Sequence, residues 1–165
     1  MTIKFAHIVA RSINGVIGNN GDIPWKISRD LNFFKEKTTN NICIVGRKTY
    51  DGIKHLKNRT FIVISRQNYE NTDNAYFVNS VEEAIEKSKE IFDNKTMCCV
   101  YIIGGAEIYK ETFKYVSFLY ITEIEKSFDG DAFYTFDYEK FKLIESSNVH
   151  SENKTLFYFT KYKCN

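Results

Sequence analysis

Chemistry in this chain is best sought first at Asp30. It lies five residues after Trp25, the only tryptophan, which itself follows the only proline, Pro24. Apolar Ile27, Leu31 and Phe34 recur with helical spacing, and about 100° per residue places Asp30 and Phe34 on one face. A carboxylate against an apolar wall is disfavoured in its charged form unless a cationic or amide-rich ligand sits on it. The bland alternative is an acid in the first turn of a helix, where it favours the macrodipole. Position alone leaves the two even. Just upstream, Val16-Ile17-Gly18, four residues, then Ile23-Pro24-Trp25 belong to a loop over residues 12–25 that also holds Gly15 and Gly21. Long ordered loops are often functional, and this one could fold over a ligand.

Three further segments suit an anion. Gly46-Arg47-Lys48-Thr49 follows an apolar run and opens a helix. Backbone N–H groups at a helix start, together with two cations, attract negative charge. The P-loop spacing G-x-x-x-x-G-K-[ST] is missing, and a solvated basic turn explains this motif better when it is taken alone. Ser65-Arg66 ends another strand, at the edge where α/β sheets bind ligands. Ile103-Gly104-Gly105-Ala106-Glu107-Ile108-Tyr109 reads as strand, double glycine and helix, which lets backbone approach a pyrophosphate. The fingerprint G-x-G-x-x-G is absent, and tight strand-to-helix packing is the plain alternative. The only arginines are Arg11, Arg29, Arg47, Arg59 and Arg66. Arg is the better bidentate partner for phosphate and carboxylate, so two at strand ends suit a phosphate-bearing ligand.

These segments need a frame to bring them together. Residues 3–10, 42–45, 60–65, 75–78 and 99–103 are strand-like apolar runs. Helical patterns separate them: one from about 28, with Ser28 as N-cap, to 38, another at 49–53, and a third opened by the capping box Ser80-Val-Glu-Glu83. A last helix covers about 108–113. Residues 118–124, 141–149 and 155–162 then read as strands with no helix between them. Alternating β and α followed by a β meander gives one α/β domain over residues 1–165, with a mostly parallel sheet and an antiparallel edge. A chain of this length can cover one core.

Composition excludes several classes. A net charge of +2 is too balanced for a general nucleic-acid binder. Cys43, Cys98, Cys99 and Cys164 show neither zinc spacing nor a disulfide framework, so reduced thiols in the cytoplasm are expected. The chain enters a strand pattern at once, so no secretory leader is expected, and no apolar run is long enough to cross a membrane. His7, His55 and His150 lack partners at triad spacing and read as packed or surface residues. Asp129 and Asp131 offer too few oxygen ligands for a cation, and no metal is expected.

Each signal is modest, but their order and spacing are specific. Val16-Ile17-Gly18-x4-Ile23-Pro24-Trp25, Asp30, Phe34, Gly46-Arg47-Lys48-Thr49, Arg59, Ser65-Arg66, Ile103-Gly104-Gly105 through Tyr109, and Thr122 fall where the dihydrofolate reductase family has its motifs. The chain resembles that family over about residues 3–162. The resemblance implies a central eight-stranded, mostly parallel sheet with an antiparallel C-terminal edge and four flanking helices. It implies reduction of 7,8-dihydrofolate to 5,6,7,8-tetrahydrofolate, with hydride passing from NADPH to pterin C6 and a proton to N5. By the same resemblance, Asp30 holds the pterin's N3 and 2-amino group. It favours protonation through solvent near Trp25, since it cannot reach N5. Thr122 supports Asp30, the carbonyls of Ile8 and Ile103 line the amino edge, and Leu31, Phe34, Ile53 and Leu56 form the apolar slot. Arg59 pairs with the α-carboxylate of the glutamate tail.

For the cofactor, the resemblance places Ala10, Ile17 and Gly18 at the nicotinamide. It places Lys48, Thr49, Gly104, Gly105, Ala106, Glu107, Ile108 and Tyr109 around the pyrophosphate, with Tyr109 also bordering the substrate. Arg47, Ser65 and Arg66 fall near the adenosine 2′-phosphate. Loop 12–25 acts as a lid that excludes water. A monomer without nucleic-acid or membrane partners is implied. Two segments depart from common family patterns: Lys57-Asn58 replaces a Pro-Gly type turn, and 129–132 lacks a Thr after its second Asp.

Two other readings compete. The pyrimidine reductase of riboflavin synthesis would keep the fold, but its substrate has no glutamate tail, so Asp30 and Arg59 together count against it. A non-catalytic folate- or nucleotide-binding protein is the other. Intact Asp30, Trp25 and Arg59 count against that.

Overall fold

Ile42 to Val45 show why the strands form where they do. Ile, Cys, Ile and Val leave no polar face, and all four are fully buried, as in a parallel strand covered on both sides. The computed structural model describes residues 2–165. Its strands are β1 (Phe5–Ser12), β2 (Val16–Gly18), β3 (Ile42–Gly46), β4 (Thr60–Ile64), β5 (Ala75–Val78), β6 (Val100–Ile102), β7 (Phe118–Ile124), β8 (Ala132–Phe133), β9 (Phe141–Ser146), β10 (His150–Glu152) and β11 (Thr155–Cys164). The helices are α1 (Ser28–Thr38), α2 (Arg47–Ile53), α3 (Val81–Ile91) and α4 (Ala106–Thr112).

The main sheet runs through eight strands in the order β10-β11-β7-β1-β6-β3-β4-β5, and β9 also pairs with β11. From β7 to β5 every pairing is parallel. β11 runs antiparallel to β7, β9 and β10. The expected architecture is therefore present. Alternate residues serve opposite layers. Ile42 and Ile44 pack with Val81, Ala84, Ile85 and Tyr109 from α3 and α4. Cys43 and Val45 pack with Tyr50, Phe33 and Phe34 from α2 and α1. Among the described residues no helix is long and apolar enough to cross a membrane.

Three local expectations change. The N-cap of α1 is Ile27, not Ser28. Ile27 is extended, and its side chain is buried with Trp25, Ile124 and Phe157, so the core sets where the helix starts. The run 141–149 breaks after Ser146: the Ser147 N–H turns to the Phe159 carbonyl at 2.8 Å, and β10 begins three residues later. Loop 12–25 is partly ordered as a ribbon, with β2 paired to β8. A Cβ on Gly130 would lie 2.3 Å from Val16 Cγ1, so the two loops approach closely only because that position is glycine. Asp131 fastens them: its N–H donates to the Gly18 carbonyl at 3.0 Å, and its carboxylate accepts from the Asn20 N–H at 3.2 Å. The capping box of α3 forms with one change. Ser80 Oγ accepts from the Glu83 N–H at 3.1 Å, but the Glu83 carboxylate reaches back to the N–H of Asn79 rather than of Ser80.

Candidate active site

The site gathers at the carboxyl ends of β1, β6 and β7. Asp30 comes from the first turn of α1. Thr122 comes from β7, where it pairs with Ala10 of β1. Burial pushes the Asp30 carboxyl up to about 6 from an ordinary 3.8, and polar contact with Thr122 and Trp25 draws it partly back. Trp25 is buried and packs on Phe128, with ring centroids 5.4 Å apart. Tyr109 of α4 donates its hydroxyl to the Ile8 carbonyl at 2.7 Å. Burial first, and then the charge of Asp30, hold the Tyr109 phenol protonated far above its usual range. Asp30, Thr122, Trp25, Tyr109 and Ile8 thus meet at one place. Ile103 follows β6 and is tied by its N–H to the Ile44 carbonyl at 2.9 Å. Phe34, Ile53 and Leu56 pack as a half-buried wall beneath α1 and α2. Leu31, beside Asp30, is 51% exposed, an apolar side chain with one side open.

Arg59 lies at the opposite end of α1. It is buried, and its Nε donates to Thr38 Oγ1 at 2.9 Å, Nη1 to the Lys57 carbonyl at 2.5 Å, and Nη2 to the Lys35 carbonyl at 2.7 Å and Thr39 Oγ1 at 3.2 Å. These bonds satisfy C-terminal helix acceptors and hold the guanidinium rigidly. Lys57-Asn58 still makes the required turn, because Asn58 adopts φ +64°, a conformation Asn tolerates.

The second half of the site lies at the ends of β3, β4 and β6. The Gly46 N–H donates to the Gly104 carbonyl at 2.8 Å, tying β3 to the double glycine. Gly104 has φ +110°, and a Cβ there would stand 3.1 Å from the Tyr109 ring, so only glycine fits. Ala106, Glu107 and Ile108 form the first turn of α4, while Lys48 and Thr49 are exposed at the start of α2. Ser65 is buried and accepts from the Gln67 N–H at 3.2 Å; Arg66 beside it is exposed. Ala10 of β1 and Ile17 and Gly18 of the β2–β8 ribbon are half-buried.

Arg47 is the informative residue here. Its Nε pairs with Asp51 at 3.1 Å, and its guanidinium lies 3.9 Å over the Tyr69 ring. Its Nη1 is buried with no partner. A buried donor left unpaired is costly, and a bound anion would satisfy it. The residues present therefore fit a phosphate-bearing cofactor. Asp51, Tyr69 and Glu152, which caps α1, were not foreseen from sequence. Asp51 is four residues after Arg47 on α2, a spacing that could have been used. Tyr69 and Glu152 arrive from distant segments and leave no such signal.

An acid and apolar slot on one side, with cations and a glycine backbone on the other, define a two-ligand site on an α/β sheet. The model of the family described as "Dihydrofolate reductase" matches residues 4–164. A dihydrofolate reductase of Buchnera aphidicola subsp. Baizongia pistaciae is 39% identical over 157 residues, 93% of this chain and 92% of the relative. One from Enterococcus faecium is 31% identical over 165 residues, 96% of each. A solved structure of the Enterococcus faecalis dihydrofolate reductase, complexed with NADP(H) and RAB-propyl, superposes with TM-score 0.85 at 30% identity, covering 98% of this chain and 96% of the other. The chain belongs to the dihydrofolate reductase family.

Proposed function

We propose that this chain reduces 7,8-dihydrofolate to 5,6,7,8-tetrahydrofolate with NADPH. The observation that carries the reading is Asp30, sunk to a titration point of about 6 beside Thr122 and Trp25. Its carboxylate suits the paired donors N3–H and 2-amino of a pterin, and such donors would offset its desolvation. NADPH, when bound, supplies the hydride that goes to C6. The reaction also consumes one proton, which goes to N5. Asp30 binds the far edge of the ring and so favours protonation from a distance, with the proton arriving through solvent beside Trp25. The β2–β8 ribbon then serves to exclude other water, a role its pairing supports by holding the loop in one shape. The wall of Phe34, Ile53 and Leu56 takes the ring and benzoyl faces, and Arg59 takes the tail carboxylate through the N–H it has left. The site is complete within one chain, which supports a monomer.

Following NADPH absorbance with dihydrofolate tests the reading, and no turnover would end it. A second measurement tests the cofactor side. The unpaired Nη1 of Arg47 makes it, with Ser65 and Arg66, the receiver of the 2′-phosphate. Arg47→Gln is expected to weaken NADPH binding about 10- to 100-fold, the size of a lost charge-assisted bond, and to leave NADH binding unchanged. Fluorescence titration with both nucleotides checks this, and equal losses for the two would refute it.

A further inference from the structure

Helix α1 begins without a cap of its own. The first N–H groups of a helix need acceptors, and Ile27 at the N-cap is committed to the core with Trp25, Ile124 and Phe157. The acceptor comes from the other end of the chain. Glu152 of β10 accepts from the Ser28 N–H with Oε2 at 2.5 Å and from the Arg29 N–H with Oε1 at 3.3 Å. Both amides belong to the turn that carries Asp30. The same hairpin holds the flanking chain: Asn153 Nδ2 donates to the Lys26 carbonyl at 2.9 Å, and the Arg29 guanidinium meets His150 Nδ1 at 3.0 Å. Bonds from the Ser28 and Arg29 amides pull the Glu152 carboxyl below its usual range. It is therefore an anion at the positive end of the helix throughout the range in which Asp30 titrates.

We propose that Glu152 is a positioning residue for Asp30, a carboxylate lent by the C-terminal hairpin that fixes the first turn of α1 and so the depth at which Asp30 meets the substrate. The clause about substrate rests on the proposed function; the clause about Asp30 does not. Glu152 acts on Asp30 through this turn: held in place, the turn keeps water away from the carboxyl, whose burial opposes its ionisation. The other titratable or charged groups around this turn are Arg29 and His150 on the hairpin side and Tyr109 on the inner side.

The test compares Glu152→Ala and Glu152→Gln with the natural chain. Carbon-13 NMR follows the Asp30 carboxyl through a pH titration of the free protein, which needs neither ligand. Removing Glu152 is expected to lower the Asp30 midpoint by about 0.5 pH unit or more in the Ala variant. The shift is smaller in the Gln variant, whose amide oxygen still accepts one N–H. The dihydrofolate KM rises about five-fold in the Ala variant, the size of a lost cap, while the NADPH Kd stays within about two-fold. An Asp30 midpoint unmoved in both variants overturns the proposal. So does a loss of NADPH affinity as large as the loss for dihydrofolate, since that marks general loosening. If the natural chain fails to turn over dihydrofolate, the proposed function falls, yet the NMR titration still decides whether Glu152 positions Asp30.

Discussion

Asp30→Asn is expected to lower turnover of dihydrofolate about 10²- to 10⁴-fold at neutral pH, the usual range for losing an acid–base group, while making the folded chain more stable. The two effects share one cause. Asp30 titrates at about 6 when folded and near 3.8 when exposed. A carboxyl whose folded value is raised contributes stability that is full below 3.8 and is lost as pH rises through 6. At pH 7 the natural chain therefore carries the cost of a desolvated anion, on the order of 2–3 kcal/mol. Asparagine keeps the shape and removes the charge. Urea unfolding at pH 7 should give the variant the higher midpoint, and by about pH 3 the difference should vanish, because Asp30 is then neutral in both the folded and the unfolded chain. Equal stability at pH 7 would show that Asp30 is not strained by burial. Normal turnover by the variant would remove Asp30 from the chemistry. The strain is a sign of function: a pterin edge offers the carboxylate paired donors beyond Thr122 and Trp25.

Much of this site was legible because its parts obey strong local rules. Ile42 to Val45 and Thr60 to Ile64 are apolar runs bounded by turns, and both faces of a central parallel strand are covered, so hydrophobicity alone finds them. Asp30 and Phe34 share a helix face by period, and Arg47 and Arg66 follow strands directly. Partners that come from afar were not legible. β2 and β8 have three and two residues, too few for any period to show. Ser28 is the better cap by residue type, but Ile27 wins because burying it with Trp25 and Phe157 outweighs a cap that Glu152 can supply from outside. Tyr69 reaches Arg47 by the path of an irregular loop, which residue types do not encode.

His7 shows the same limit, and it carries the second large expected effect. Alternation marks it as packed, but its partners lie 105 and 127 residues away. Thr112 gives its one hydroxyl proton to the Ile108 carbonyl at 2.7 Å, so its oxygen must accept from His7 Nε2 at 2.7 Å. That leaves Nδ1 bare to accept from the Tyr134 hydroxyl at 3.0 Å. The chain of bonds is complete only for a neutral ring. Tyr109, Phe113 and Tyr134 surround it edge-on, and burial lowers its titration point from 6.5 to about 3. A folded value that is depressed contributes stability present above 6.5 and lost as pH falls toward 3. The loss is about 1.4 kcal/mol per pH unit, or about 2 kcal/mol by pH 5. Asp30 works against it, recovering a similar amount per unit as pH falls from 6 to 3.8. The two groups should therefore nearly cancel between about pH 6 and pH 4, leaving the natural chain with a flat profile and a steep loss below. Asp30→Asn removes the compensation, so that variant should lose stability steadily from about pH 6.5 downward. His7→Leu combined with Tyr134→Phe, which leaves no hydroxyl stranded, should gain stability over the same interval. Urea unfolding of the three proteins from about pH 3.5 to about pH 7.5 separates them. Parallel curves for the natural chain and the double variant would refute the assignment, because they would place acid sensitivity outside this buried ring.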